Sequence, residues 1–305
     1  MSVKMSHPDY SAQGWQQIVV SLDGPVAIVK LNRAKQRNSI TIPVVRDLVA
    51  AYDILDRDDR VRVVVLTADH TAHAFCSGAD LSSGWGGLFS EEDERQGRHT
   101  HRDSGGTVTL AIFRCRKLTI AAVNGHAAGV GITGLQLPCD FRFVWAGAKL
   151  AFPFVRRGIV PEAISTYLLP RLIGYSRAVG LLLSGGTYSP DSPLLQGLYH
   201  ATFPNREDVL PAALAFAREL AANTSQTGVA WTKALLWRGA DSIEGQHILD
   251  SRGIADLASR GDAAEGAQAF KEHRAVRFSD VLSRDLSDFV PWWTELDVRQ
   301  RKAKL

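Results

Sequence analysis

The chain has 305 residues, 45% of them hydrophobic and 22% charged, with a formal net charge of +3. That is enough chain for one substantial core and a smaller second unit, in the composition range of globular proteins. The slight positive charge, with no basic stripe interleaved with aromatics, argues against nucleic acid as a partner, and the apolar runs are too short to span a membrane as helices.

The opening stretch, MSVKMSHPDYSAQGW, lacks the apolar core of a signal peptide. Residues 18–22 and 26–31, split by Asp23-Gly24, read as a β-hairpin. After the polar loop NRAKQRNSI, the apolar residues Val44, Val45, Leu48, Tyr52 and Leu55 fall at helical spacing, with Pro43 suited to the first turn. Residues 61–66 are almost all β-branched, as in a strand covered on both faces. Strand, strand, helix, strand opens an α/β fold. The small-residue loop HAFCSGADLSSGWGG follows, then a charged helix predicted over 90–98, as part of an insert over 82–106, and a further helix from about 107 to 116.

The stretch LTIAAVNGHAAGVGITGLQLPCD, residues 118–140, runs from a short strand through the turn pair Asn124-Gly125 into small residues and a buried helix. Strands are predicted over 141–145 and 150–154, then a helix from Pro161 with Ile164, Tyr167, Leu168, Arg171 and Leu172 on one face and Glu162 in its first turn. Four consecutive helices follow, over 209–222, 227–238, 242–259 and 262–274, with a boundary near Pro204 to Pro211. The end is polar, with a Trp292-Trp293 anchor and a basic tail.

Several chemistries fail on inspection. Gly129-Val130-Gly131-Ile132-Thr133-Gly134 fits the dinucleotide pattern, but it does not follow its strand directly and no acidic residue ends the next one. No GxSxG elbow supports a hydrolase serine. The nine histidines form no HExxH and no paired spacing, and His99, His101 and Asp103 read as a solvated cluster, so no metal site is expected. Cys76, Cys115 and Cys139 are odd in number and widely spaced, which fits a reducing compartment. What remains is two loops of small residues, 76–80 and 129–131, each running toward a helix. Together they could present two backbone N–H donors to one developing oxyanion.

With the motifs LNRAKQRNSI, AFCSGADL, AAVNGHAAGVGITGLQLPCD, FVRRGIVPEA and EGAQAFKEHRAVRF in this order, residues 17–278 resemble the crotonase superfamily of enoyl-CoA hydratases and isomerases. The resemblance implies an α/β fold, a spiral of ββα turns over 1–208 holding the acyl-CoA site. A helical trimerisation region over 209–278 and an extension over 279–305 would follow. It implies acyl-CoA thioesters as substrates, no cofactor beyond the coenzyme A they carry, and a homotrimer or hexamer. The oxyanion donors would be the N–H groups of Ala79 and Val130. Coenzyme A would meet Arg37, Ser39, Ser77 through its backbone, and Gly129. Phe270, His273 and Arg274 would approach its adenine and phosphates, from the same or a neighbouring subunit.

Hydratases of the superfamily carry two glutamates that hold water. Those positions fall here on Thr133 and Phe154, neither acidic. A subset of Δ3,Δ2-enoyl-CoA isomerases instead keeps one glutamate in a PE motif, and Pro161-Glu162 matches it. The resemblance therefore points first to an isomerase with Glu162 as proton shuttle. The alternatives are a hydratase using Glu162 with Asp103 as an acid/base pair, and a non-catalytic acyl-CoA-binding scaffold. Taken alone, Glu162 also reads as a helix-start carboxylate favoured by the dipole. Finally, Ala303-Lys304-Leu305 is similar to an SKL-type address, which implies a peroxisomal protein if the source is eukaryotic and a cytoplasmic one otherwise.

Overall fold

The computed structural model describes residues 7–82, 84 and 101–292. The helix expected over 90–98, His99, Trp293 and the final tripeptide lie outside the described residues. The hairpin forms as read, with β1 (Ile18–Asp23) antiparallel to β2 (Val26–Leu31). From there the chain lays β3 (Val63–Ala68), β5 (Leu118–Val123), β7 (Phe141–Trp145) and β10 (Ala201–Phe203) parallel to one another beside β2, in the order β1-β2-β3-β5-β7-β10. The intervening strands β4 (Ala74–Cys76), β6 (His126–Ala128) and β8 (Leu150–Ala151), with β9 (Thr187–Tyr188), make a second sheet in the order β4-β6-β8-β9. From β3 to β8 successive strands thus alternate between the two sheets. This is a spiral of ββα turns.

Both faces of the larger sheet are covered, which is why β3 is apolar throughout. Val64 and Leu66 join the main core with α1 (Ile42–Arg57) and α2 (Ser104–Arg114). Val63 and Val65 face the other way, onto Val209, Ala213, Ala217 and Ala221 of α6 (Val209–Asn223). The first of the four carboxy-terminal helices therefore completes the sheet's packing. The next, α7 (Gln226–Arg238), is tied to the core by Lys233, whose Nζ donates to Cys115 O at 2.9 Å, Lys117 O at 2.8 Å and the Asp140 carboxylate at 2.7 Å. Trp231 of α7 is buried against Trp292, with its Nε1 donating to Asp256 of α8 (Ile243–Ala258) at 2.9 Å. The last long helix is α9 (Gly261–Glu272), and a short α10 (Leu282–Asp285) follows.

Three expectations are corrected, and all three bear on the site. The buried helix after Gly129 is a single turn, α3 (Val130–Thr133), followed by irregular turns. The strand expected over 150–154 is only two residues long and gives way to a 3-10 turn over Val155–Arg157. The helix expected from Pro161 starts at Ser165 as α4 (Ser165–Ile173), before α5 (Tyr175–Ser184). It starts late because Ala163 and Ile164 have φ of 60° and 59°, in the left-handed region. Glu162 therefore precedes the helix and is not a first-turn carboxylate on its dipole.

Candidate active site

The two small-residue loops meet because β4 and β6 are neighbours in the smaller sheet, with Cys76 paired to Ala127. Their approach leaves no room for side chains. A Cβ on Gly131 would stand 2.8 Å from Cys76 Cβ and 2.9 Å from its Sγ. Gly125 would place one 2.7 Å from Phe75 N. Gly129 adopts φ 50° and ψ −126°, a conformation that favours glycine, and so turns the chain into α3. Among the described residues the N–H groups of Ala79 and Val130 find no acceptor, and both residues line one pocket of about 200 Å³. Val130 is the first residue of a helix, where an N–H is unpaired by geometry. Two such donors suit an oxygen that gains charge during reaction.

The pocket's other residues include Ile40, Leu81, Phe154, Ile159 and Val160, and on the polar side His101, Asp103, Arg157 and Glu162. Thr133 and Phe154 stand where the two hydratase glutamates were sought. Thr133 is buried with its Oγ1 donating to Gly129 O at 3.1 Å, and the Phe154 ring comes within 3.9 Å of where a Gly129 Cβ would stand. Neither offers an acid or base.

The acids come from elsewhere. Asp103 caps α2, accepting from Gly106 N at 2.5 Å, and also accepts from Ala163 N at 3.2 Å. That second bond ties the cap to the residue after Glu162. The Glu162 carboxyl lies against Gly105, where any Cβ would overlap it, and it is hydrogen-bonded to Asp103. Burial first, then the charge of Asp103 and this bond, raise the Glu162 pKa from 4.5 to about 8. Because two backbone N–H groups already donate to Asp103, the proton of the pair sits on Glu162.

The loop that carries Glu162 is held from several sides. Thr109 Oγ1, fully buried, donates to Gly105 O at 2.8 Å and Ala163 O at 3.2 Å. Ser165 Oγ donates to Glu162 O at 2.7 Å. A β-branched residue in the left-handed region is strained, and Ile164 persists there because its surroundings over-determine it.

A family model described as enoyl-CoA hydratase/isomerase matches residues 22–281. The chain belongs to that family. An enoyl-CoA hydratase of Alternaria alternata is 43% identical over 277 residues, 90% of each chain. A mevalonyl-coenzyme A hydratase of Beauveria bassiana is 31% identical over 84% of this chain and 91% of its own. Among solved structures, a probable enoyl-CoA hydratase/isomerase from Mycobacterium abscessus superposes with a TM-score of 0.74 at 35% identity, covering 86% of this chain and 98% of that one. A putative enoyl-CoA hydratase from Streptomyces coelicolor gives 0.78 at 29%, over 91% and 99%. The crotonase fold and an acyl-CoA enzyme are therefore the frame in which the site is read.

Within that frame the residues expected to hold coenzyme A divide. Arg37 and Ser39 belong to the loop that bridges Ile40 to Ala79 and so borders the pocket. Ser39 is already engaged, its Oγ donating to Asp80 at 3.0 Å, and Ser77 N donates to Arg37 O at 3.0 Å, leaving the Ser77 carbonyl for a ligand. Gly129 lines the pocket itself. Phe270, His273 and Arg274 are not among the residues that line this pocket. Phe270 is 81% exposed on α9, and Arg274 is ion-paired to Glu265 and Glu272, both at 2.6 Å. Among the described residues no group of three His, Cys, Asp or Glu is placed to hold a metal, and no helix is long and apolar enough to cross a membrane.

Proposed function

We propose that the chain hydrates 2-enoyl-CoA thioesters, and dehydrates 3-hydroxyacyl-CoA in reverse, with Asp103 and Glu162 as the paired acids. The observation that carries this reading is the hydrogen bond between these two carboxyl groups in one pocket. Hydration needs a base for water and an acid for the α-carbon at the same time. The pair supplies one of each. Asp103 accepts a proton from water as its oxygen bonds to the β-carbon. The π electrons move into an enolate whose oxygen rests on the Ala79 and Val130 N–H groups. Glu162 gives its proton to the α-carbon, and proton transfer from Asp103 to Glu162 through their hydrogen bond restores the site.

Isomerisation would need a different starting state. A single shuttle must begin ionised to take a proton from the substrate, whereas Glu162, with a pKa near 8, is mostly protonated at neutral pH. The PE motif and the apolar Phe154 favour the isomerase as the second reading. The two part on pH. Hydration through protonated Glu162 falls as pH rises through about 8, while isomerisation through ionised Glu162 rises over the same interval. The experiment follows water addition to a 2-enoyl-CoA and double-bond migration in a 3-enoyl-CoA across that interval. Hydration lost in both Asp103→Asn and Glu162→Gln is the expected result. Migration that survives Asp103→Asn, with no hydration by the native chain, would replace the proposal with the isomerase, and binding without turnover of either would favour the scaffold.

Self-association is part of the proposal. Leu236, Ile243, Ile248 and Ile254 of α7 and α8 are each at least 70% exposed, and Phe270 joins them on α9. Large apolar side chains left exposed on consecutive helices call for a cover, and a trimer or hexamer built through this region would provide one.

A further inference from the structure

Two consecutive arginines close the 3-10 turn after Phe154, and they do different things. Arg156 is bound to the fold, its Nε donating to Ser184 O at 2.7 Å. Arg157 lines the pocket; its backbone N–H donates to Phe154 O at 2.9 Å, while among the described residues its guanidinium makes no hydrogen bond, ion pair or ring contact. Its neighbours on that wall are apolar: Phe154, Ile159 and Val160, the last 78% exposed. The wall thus ends at an opening to water, with the Arg157 guanidinium on it.

The position of this cation matters. Arg37, in the loop before Ile40 that borders the pocket, is likewise without a side-chain partner among the described residues, and that is the side expected to meet coenzyme A. Arg157 belongs to the chain between β8 and Glu162, beside the lining residues Phe154, Ile159 and Val160, which on the acyl-CoA reading would meet the acyl group. An acyl chain ending in a methyl group would gain nothing from a guanidinium there. One ending in a carboxylate needs a cation and some access to water together, because a fully buried carboxylate is heavily penalised. A guanidinium matches a carboxylate with two parallel N–H donors.

We infer that the acyl group this site accepts carries a carboxylate at its far end, making the substrate the mono-CoA thioester of a dicarboxylic acid, with Arg157 as the residue that selects it. The inference rests on the acyl-CoA reading above and adds the substrate class to it.

The test uses two unreactive saturated thioesters of equal length, adipoyl-CoA and hexanoyl-CoA, with free CoA as the third ligand. Their binding to the full chain, to Arg157→Leu and to Arg157→Lys is measured by calorimetry. Adipoyl-CoA is expected to bind about tenfold tighter than hexanoyl-CoA, the scale of a partly solvated charge-assisted bond. Arg157→Leu should abolish that preference and leave hexanoyl-CoA unchanged, while Arg157→Lys keeps part of it. Equal binding of the two thioesters by the native chain overturns the inference. So does Arg157→Leu weakening adipoyl-CoA, hexanoyl-CoA and free CoA by one common factor, which would assign the guanidinium to a CoA phosphate. Preference for adipoyl-CoA in a chain that adds no water to any 2-enoyl-CoA upholds the inference and removes the hydratase reading. Hydration of 2-hexenoyl-CoA with no preference between the saturated pair does the opposite.

Discussion

Replacing Glu162 by Gln is expected to abolish turnover and, at alkaline pH, to stabilise the protein. Folded Glu162 holds its proton up to a pKa of about 8, against 4.5 for an ordinary glutamate. Between those values the folded chain binds a proton that the unfolded chain has released, so stability falls as pH rises. The contribution is fully present below about pH 4.5 and is lost once pH passes about 8. At about 1.4 kcal/mol per tenfold in proton affinity, the gap sets a ceiling of about 5 kcal/mol. Water in the open pocket and relaxation around the charge reduce this to about 1–3 kcal/mol. Gln keeps the shape and the donor of the protonated acid without its ionisation. For a chain of this length, about 2 °C per kcal/mol is a fair conversion, so Glu162→Gln should melt about 2–6 °C higher than native at about pH 9. Near pH 4.5 the two should agree within about 1 °C. Thermal unfolding of both proteins at the two pH values is the assay. An equal shift at both, or a lower melting point for Glu162→Gln at alkaline pH, would refute the shared-proton reasoning.

Other perturbations probe the frame around this pair. Ile164→Gly removes a left-handed β-branched residue, a strain of about 1–3 kcal/mol, against about 0.5–1 kcal/mol for glycine's entropy and about 1–2 kcal/mol for the packing of a half-buried isoleucine on the core. Denaturant titration should therefore show a change within about 1 kcal/mol while kcat falls as Glu162 loses its orientation; kcat intact would count against this backbone as the positioning force. Gly131→Ala drives a methyl group into Cys76 and should spread the oxyanion loops, lowering kcat by about 10²–10³ in protein that still folds by circular dichroism. Full activity in that variant would mean Val130 N–H is not a donor. Lys233→Met strips the Asp140 carboxylate and two carbonyls of their shared cation and should destabilise by about 2–4 kcal/mol. A change under 1 kcal/mol would show that α7 is held to the core by its apolar contacts instead.

Much of the frame was legible in the residues. The β-branched run of β3 announced a strand covered on both faces, and the two sets of alternate valines do face different layers. Helical spacing placed α1 and the four carboxy-terminal helices within a few residues. The glycine loops around Ala79 and Val130 announced a close backbone approach, which the Gly131–Cys76 contact bears out. Where local reading failed, tertiary contacts had overridden it. Pro161 and the spacing after it favour a helix start. Asp103, Thr109 and Ser165 instead hold the backbone at Glu162 to Ile164 in a conformation that delays the helix to Ser165.

The sequence by itself determined the alternating strands, the paired small-residue loops, the family and the single PE glutamate. It also put Asp103 forward as a partner, though only as a member of a charged segment. Only the tertiary structure decided that the partnership exists. Asp103 and Glu162 are far apart in the chain, and what joins them is the docking of the α2 cap onto the loop before α4. That contact takes Glu162 out of water, places a like charge beside it and so sets its protonation. Such terms depend on burial and distance, which no spacing of residues along the chain encodes.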